Sequence, residues 1–178
     1  LENKVKAWCA KESFNIEGEY FPRGSIVIRN NSNKSMKLGL LKKLAAKYGI
    51  DIFAINTALA TDGPDLGSSN FTMLIEPKIA IVSGPPTSTY SFGATWHLID
   101  YNLKSRASLI NIMNFGWQDL TKYNVMLLPN GRSMKRMLGD SGIKKLKSWV
   151  DNGGTLISYS NSAAFLADSS VNISSVKL

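Results

Sequence analysis

Histidine and cysteine are almost missing from this chain: its 178 residues include one of each, His97 and Cys9. That scarcity excludes much chemistry. A zinc site draws at least three protein ligands from His, Cys, Asp and Glu. A serine or cysteine nucleophile needs a base beside it, most often histidine. One histidine supplies neither arrangement, and no clustered carboxylate pair stands in for it. The chain is therefore expected to carry no complete active site of its own. A single cysteine also excludes an internal disulfide and leaves the redox compartment open. Cys9 lies in Val5-Lys6-Ala7-Trp8-Cys9-Ala10, which alternates as a strand does, so it reads as a packing residue. Long apolar runs are absent too: none approaches the roughly 18 residues that cross a bilayer. With neither an initiator methionine nor a signal-peptide pattern, the chain reads as an excised or processed piece.

What is present is ordinary for a globular protein, with 44% hydrophobic and 19% charged residues. The 21 basic residues outnumber 13 acidic ones, a net charge of +8. Most of the excess falls around two expected helices, at Lys34, Lys37, Lys42, Lys43 and Lys47 and at Lys135, Arg136, Lys144, Lys145 and Lys147. No aromatic-interleaved basic stripe of the kind that stacks bases accompanies them, so nucleic acid is not an expected partner.

Strand and helix signals alternate, the pattern of layered α/β proteins. Residues 1–74 read as a small strand–strand–helix–strand unit. Its strands are expected at 4–10, Ser25–Arg29 and Ile50–Ile55, with a hairpin-like connection at Gly18, Pro22 and Gly24. Its helix carries Met36, Leu40, Leu41, Leu44 and Tyr48 on one face, Asn33 or Ser35 as its cap and Gly49 as its stop. Residues 56–74 read as a loop held to the body by Phe71, Met73 and Leu74.

Residues 75–178 read as an open, mostly parallel sheet with helices on both faces. Strands are expected at Lys78–Ser83, Ser108–Met113, Asn124–Leu128 and Thr155–Tyr159. Helices are expected from Phe92 to Leu103, from a cap at Asp140 or Ser141 to Gly153-Gly154, and from Ser162 to Asp168. A short helical turn at Asp119–Tyr123 and an unpatterned, loosely held tail from residue 169 complete the reading.

A ligand on such a sheet sits beyond the carboxyl ends of its strands. Here that edge is Gly84-Pro85-Pro86, Pro129-Asn130-Gly131-Arg132 and Ser158-Tyr159-Ser160-Asn161-Ser162. Ser160 occupies the middle of a strand–sharp turn–helix stretch shaped like a nucleophile elbow. The plainer alternative is a serine-rich turn whose hydroxyls cap the next helix. Gly131 and Gly84 are the oxyanion or ligand-edge candidates. Arg132 could grip a carboxylate bidentately or be an exposed loop arginine.

Two resemblances extend this reading. Residues 119–131 (Asp-Leu-Thr-Lys-Tyr-Asn-Val-Met-Leu-Leu-Pro-Asn-Gly) resemble the strand and oxyanion loop of class I glutamine amidotransferase-like domains, where Tyr-Asp-x-x-x-x-Pro-Gly-Gly is frequent. Residues 146–157 (Leu-Lys-Ser-Trp-Val-Asp-Asn-Gly-Gly-Thr-Leu-Ile) resemble the following helix–Gly-Gly–strand, which implies a flavodoxin-like layer. Ser160 then aligns with the family's catalytic cysteine, and Asn130 replaces an oxyanion glycine. The family's catalytic His and Glu come later than these motifs.

The second resemblance rests on motifs in order: Phe21-Pro22-Arg23-Gly24-Ser25-Ile26-Val27-Ile28, Leu44-Ala45-Ala46-Lys47-Tyr48-Gly49-Ile50, Gly63-Pro64-Asp65-Leu66-Gly67-Ser68 and Pro77-Lys78-Ile79-Ala80-Ile81-Val82. Together they are similar to the C-terminal non-peptidase region of large bacterial zinc carboxypeptidases of the carboxypeptidase A/T superfamily. The resemblance implies a secreted or periplasmic parent with one zinc in a preceding peptidase domain. This chain would then be a non-catalytic accessory, packing on that domain or helping to hold peptide or cell-wall-like substrate. The family's His-x-x-Glu zinc motif does not occur here. His97-Leu98-Ile99-Asp100 imitates it without a third ligand, so His97 reads as a packing or surface residue. Two alternatives remain: a degenerate hydrolase using Ser160 with Gly131 as oxyanion donor, and a basic module for anionic polymers.

Overall fold

A computed structural model describes residues 5–36 and 38–176. The chain divides into two compact units between Glu76 and Pro77, whereas the sequence placed a boundary after residue 74.

The first unit is built on short antiparallel strands. The strand β1 (Trp8–Ala10) pairs with β4 (Ile26–Val27) on one side and β5 (Phe71–Met73) on the other. The segment read as a hairpin-like connection contains a hairpin of β2 (Phe14–Ile16) and β3 (Glu19–Phe21). Glu17 and Gly18 both have positive φ, 50° and 83°, the two-residue turn whose twist matches a hairpin. Ala10, Phe14, Ile16 and Phe71 form the buried centre, with Phe21 stacked on Phe14 at 5.0 Å.

Two expectations fail in this unit. Ile50–Ile55 is not a strand: it finds no partner, and Ile50, Ile52 and Phe53 are exposed. Its alternating apolar residues instead lean singly on the body, Ile55 on the core and Phe53 edge-on to Phe21 at 5.5 Å. Asn33 does not cap the helix α1 (Leu38–Tyr48) either. Its amide donates to the carbonyls of Lys6 and Arg29 and its Oδ1 accepts from Lys6 N, which ties the approach to β1 onto the loop after β4. Lys37 lies outside the described residues.

The second unit is an open α/β layer of flavodoxin-like form. Its strands β6 (Ile79–Ser83), β7 (Ala107–Asn111), β8 (Val125–Leu128) and β9 (Thr155–Ser158) are all parallel, in the order β7-β6-β8-β9. Alternation along the strands feeds two cores. Ala80, Val82, Ile110, Met126 and Leu128 face the helices α3 (Met134–Asp151) and α4 (Asn161–Ala167). Ile79, Ile81 and Leu127 face the other way, toward Phe92 of α2 (Thr89–His97) and Ile99 of the π-helical turn that extends it. Building out from β6 in both directions puts a topological switch between β6 and β8.

The longest helix is two helical segments, and the second begins at its sequence cap, Asp140 or Ser141. Met134 and Leu138, both buried, belong to a first segment, and Gly139 (φ 60°, ψ 177°) kinks the helix just before Asp140. It stops at Gly153 (φ 95°), while Gly154 leaves room for the Trp149 indole, which a Cβ there would meet at 2.5 Å. The residues after α4 are also better held than the sequence implies. Val171 is buried among Phe115, Met134 and Leu166, Ile173 packs on the same cluster, and Ser174 N donates to Leu166 O.

Candidate functional site

The carboxyl edge of the parallel sheet brings together the three expected loops, and each strand end turns for its own reason. After β6 the backbone turns through Gly84 (φ 81°), whose missing Cβ leaves space for the Asn111 side chain; an added Cβ would lie 2.8 Å from Asn111 Oδ1. Asn111 in turn caps the 3-10 turn that follows β7, its Oδ1 accepting from Met113 N at 3.0 Å. Gly84 is thus explained by packing and backbone freedom. Gly131 is explained similarly: it is buried, and a Cβ would meet Met134 Cε at 2.8 Å and Pro86 O at 3.3 Å.

The switch crevice is spanned by the chain's own hydrogen bonds. Thr87 bridges Gly131, Ser88 N donates to Asn130 O at 2.8 Å, and Asn130 N donates to Ser91 Oγ at 3.0 Å. Ser88 caps α2, its Oγ accepting from Ser91 N. From the third loop, the Tyr159 hydroxyl accepts from Ser91 Oγ at 2.9 Å, donates to Ser91 O at 3.2 Å and bonds to Thr95 Oγ1. Asn161 N donates to Asn130 Oδ1 at 3.3 Å, and the fully buried Ser162 donates to Pro129 O at 2.6 Å. Tyr159 belongs to the edge loop expected from sequence, whereas Ser91 and Thr95 were not singled out. The legible hint was the run of hydroxyls in the first turns of α2, which face the same edge.

Ser160 sits at the apex of the β9–α4 turn with φ 57° and ψ −136°. Non-glycine residues rarely take this backbone, and when they do the neighbouring structure must hold them there, often at sites of function. The helix-capping alternative fails in its detail. The Ser160 hydroxyl makes no cap hydrogen bond, and it is the Ser160 carbonyl that accepts from Ala163 N and Ala164 N at 3.0 and 3.1 Å. The side chain is exposed. The strand–turn–helix therefore has the elbow's backbone as well as its sequence pattern.

Beside the elbow is an open cavity of about 480 Å³ whose polar lining includes Arg132, Ser133, Lys135, Asn161 and Asp168. Ser133 is a second non-glycine residue at positive φ, 55°, and it leads into α3. Arg132 is exposed and holds no ion pair among the described residues. Asp168 is the carboxylate of this lining, and it is committed. It accepts from Ser170 Oγ at 2.5 Å and Ser170 N at 2.8 Å, which with the nearby Lys135 cation holds its pKa below the usual carboxylate value. A carboxylate held ionised by such bonds is a weak general base.

His97 does not supply the missing base. Its ring stacks on Tyr101 at 4.9 Å, at the junction of α2 and the π-helical turn. Asp100 is exposed three residues on, and no group of three His, Cys, Asp or Glu that could hold a metal occurs among the described residues. These side chains do not fit a zinc ion. Cys9 is half-buried, paired within β1.

What the arrangement offers chemically is an elbow-like backbone at one serine and a cation at Arg132, with no proton acceptor hydrogen-bonded to the Ser160 hydroxyl among the described residues. No family model, curated protein or solved structure matches the chain.

Proposed function

We propose that this chain is a non-catalytic accessory region of a secreted or periplasmic zinc metallocarboxypeptidase, packing on the peptidase domain or helping it hold peptide or cell-wall-like substrate. The zinc and its ligands belong to that peptidase domain in this reading. The observation that carries it is the elbow at Ser160: the backbone has the form of a nucleophile elbow, yet hydrogen bonds among the chain's own backbone and side-chain groups span the neighbouring crevice. Such a frame fits a fold of catalytic ancestry retained for its surface. The order of the four sequence motifs supplies the link to the carboxypeptidase.

The test begins with the coding sequence upstream of Leu1, expected to encode His-x-x-Glu and a distant His. Absence of that motif sinks the reading. If it is present, the longer protein should release C-terminal residues from peptides in a chelator-sensitive way. Deleting residues 1–178 should raise KM while leaving kcat within about twofold, as loss of uniform binding does.

The φ and ψ of Ser160, with a hydroxyl left free of capping, favour one second reading, a degenerate hydrolase in which Ser160 attacks an acyl group and Gly131 contributes to the oxyanion site. A fluorophosphonate probe that labels the chain but not Ser160→Ala would support it. Equal or absent labelling of both proteins removes it.

A further inference from the structure

The opposite edge of the parallel sheet holds a second cleft, and it has a different character. It is open, about 520 Å³, and its lining includes Lys78, Arg106, Ser108, Lys122 and Tyr123, with no carboxylate. Its three cations come from three separate segments: Lys78 just before β6, Arg106 just before β7, and Lys122 at the end of the 3-10 turn before β8. Parallel strands begin side by side, so the topology alone gathers these positions. Residues 77–178 as a whole carry eleven Lys and Arg against five Asp and no Glu.

The floor of the cleft is fixed. Lys78 N donates to Asn124 Oδ1 at 2.7 Å, and Lys78 O accepts from Asn124 N and Val125 N. Tyr123 O accepts from the Trp149 indole at 3.1 Å. Asp119, three residues before Lys122, has its pKa lowered first by hydrogen bonds from Thr121 Oγ1 and N and after them by Lys122 and Lys145. Three like charges gathered on a fixed floor create a potential that a multiply charged anion relieves.

We propose that this cleft binds a phosphoryl group. A phosphate carries close to two negative charges at neutral pH, against one for a carboxylate. The Arg106 guanidinium can meet two of its oxygens, with Lys78 and Lys122 as point charges. Ser108 and Tyr123 add hydroxyl donors. A single phosphate fills only part of a space within the size range of ligand sites, so the rest accommodates what the phosphoryl group is attached to. This site is independent of the accessory reading and of Ser160.

The test is an amide NMR titration of the whole chain at low ionic strength with inorganic phosphate, tripolyphosphate and acetate. Saturable shifts confined to Lys78, Arg106–Ser108 and Lys122–Tyr123 are expected. Saturation by inorganic phosphate identifies the free ion as sufficient, and saturation by tripolyphosphate alone identifies a phosphoryl group within a larger molecule. Arg106→Gln and Lys122→Gln, both at exposed positions, should each weaken binding about tenfold, while Arg132→Gln should not. Shifts spread over all the lysines, equal responses to acetate, or unchanged binding in both variants would overturn the proposal.

Discussion

Ser160 holds a backbone that glycine would adopt without cost, and its stability consequences can be separated from its chemistry. Replacing it with glycine removes strain of about 1–3 kcal/mol while enlarging the freedom of the unfolded chain by roughly 0.5–1 kcal/mol. Ser160→Gly should therefore raise the urea midpoint, and Ser160→Val should lower it. Gly154 is the converse case. A Cβ there would strike the Trp149 ring at 2.5 Å, so Gly154→Ala should cost about 2 kcal/mol and alter the near-ultraviolet circular dichroism of that indole. Two hydrogen-bonded carboxyls contribute to the acid limb. Asp119 and Asp168 have folded pKa values below the ordinary 3.8, chiefly through hydrogen bonds from Thr121 and Ser170. They bind fewer protons folded than unfolded, so their contribution is complete above the unfolded value and fades as pH falls through the folded one. Stability should decline below about pH 4, and Thr121→Ala or Ser170→Ala should shallow that decline.

The elements of the parallel sheet were readable because their residues obey one rule at a time. Ile79-Ala80-Ile81-Val82 is apolar on both sides and is buried on both sides, as a central parallel strand must be. The carboxyl-edge loops followed from the same order of strands. Elsewhere a local signal was overruled by something distant. The Ile50–Ile55 alternation promises a strand, but no edge is offered to it. Asn33 looks like a cap, but Lys6, 27 residues away in sequence, claims its side chain. The hairpin-like connection at Gly18 was legible from its turn residues, but its strands were not, since each has only three residues. At the site, the turn at Ser160 could be read from its small neighbours. The Tyr159–Ser91–Thr95 link could not, since it joins residues more than 60 apart. The kink at Gly139 belongs to the same class. Its φ of 60° and ψ of 177° with nothing near its Cβ position mean that Gly139→Ala should cost about 1–3 kcal/mol through the backbone alone, seen in the same urea titration.

At the scale of the molecule, the two units differ in what holds them. Among the described residues the first gathers a small buried cluster of Ala10, Phe14, Ile16 and Phe71, the second a cluster from Ala80 to Val171 and a further one under α2. Exchange protection follows buried apolar packing. Amide hydrogens of β6 and β8 should thus outlast those of β1 to β5 in native-state hydrogen exchange, and the reverse order would show that the small unit is the more stable one. The four-stranded sheet ends in β7 on one side and β9 on the other. An edge strand is a template for another molecule's strand unless charge or cover blunts it. The β7 edge has such gatekeepers in Lys104 and Arg106 immediately before it, whereas no charged side chain stands anywhere between Asp151 and Asp168. Thr155-Leu156-Ile157-Ser158 is therefore the aggregation-prone margin of this chain, and a lysine at the half-exposed Ile157 is the substitution that would guard it.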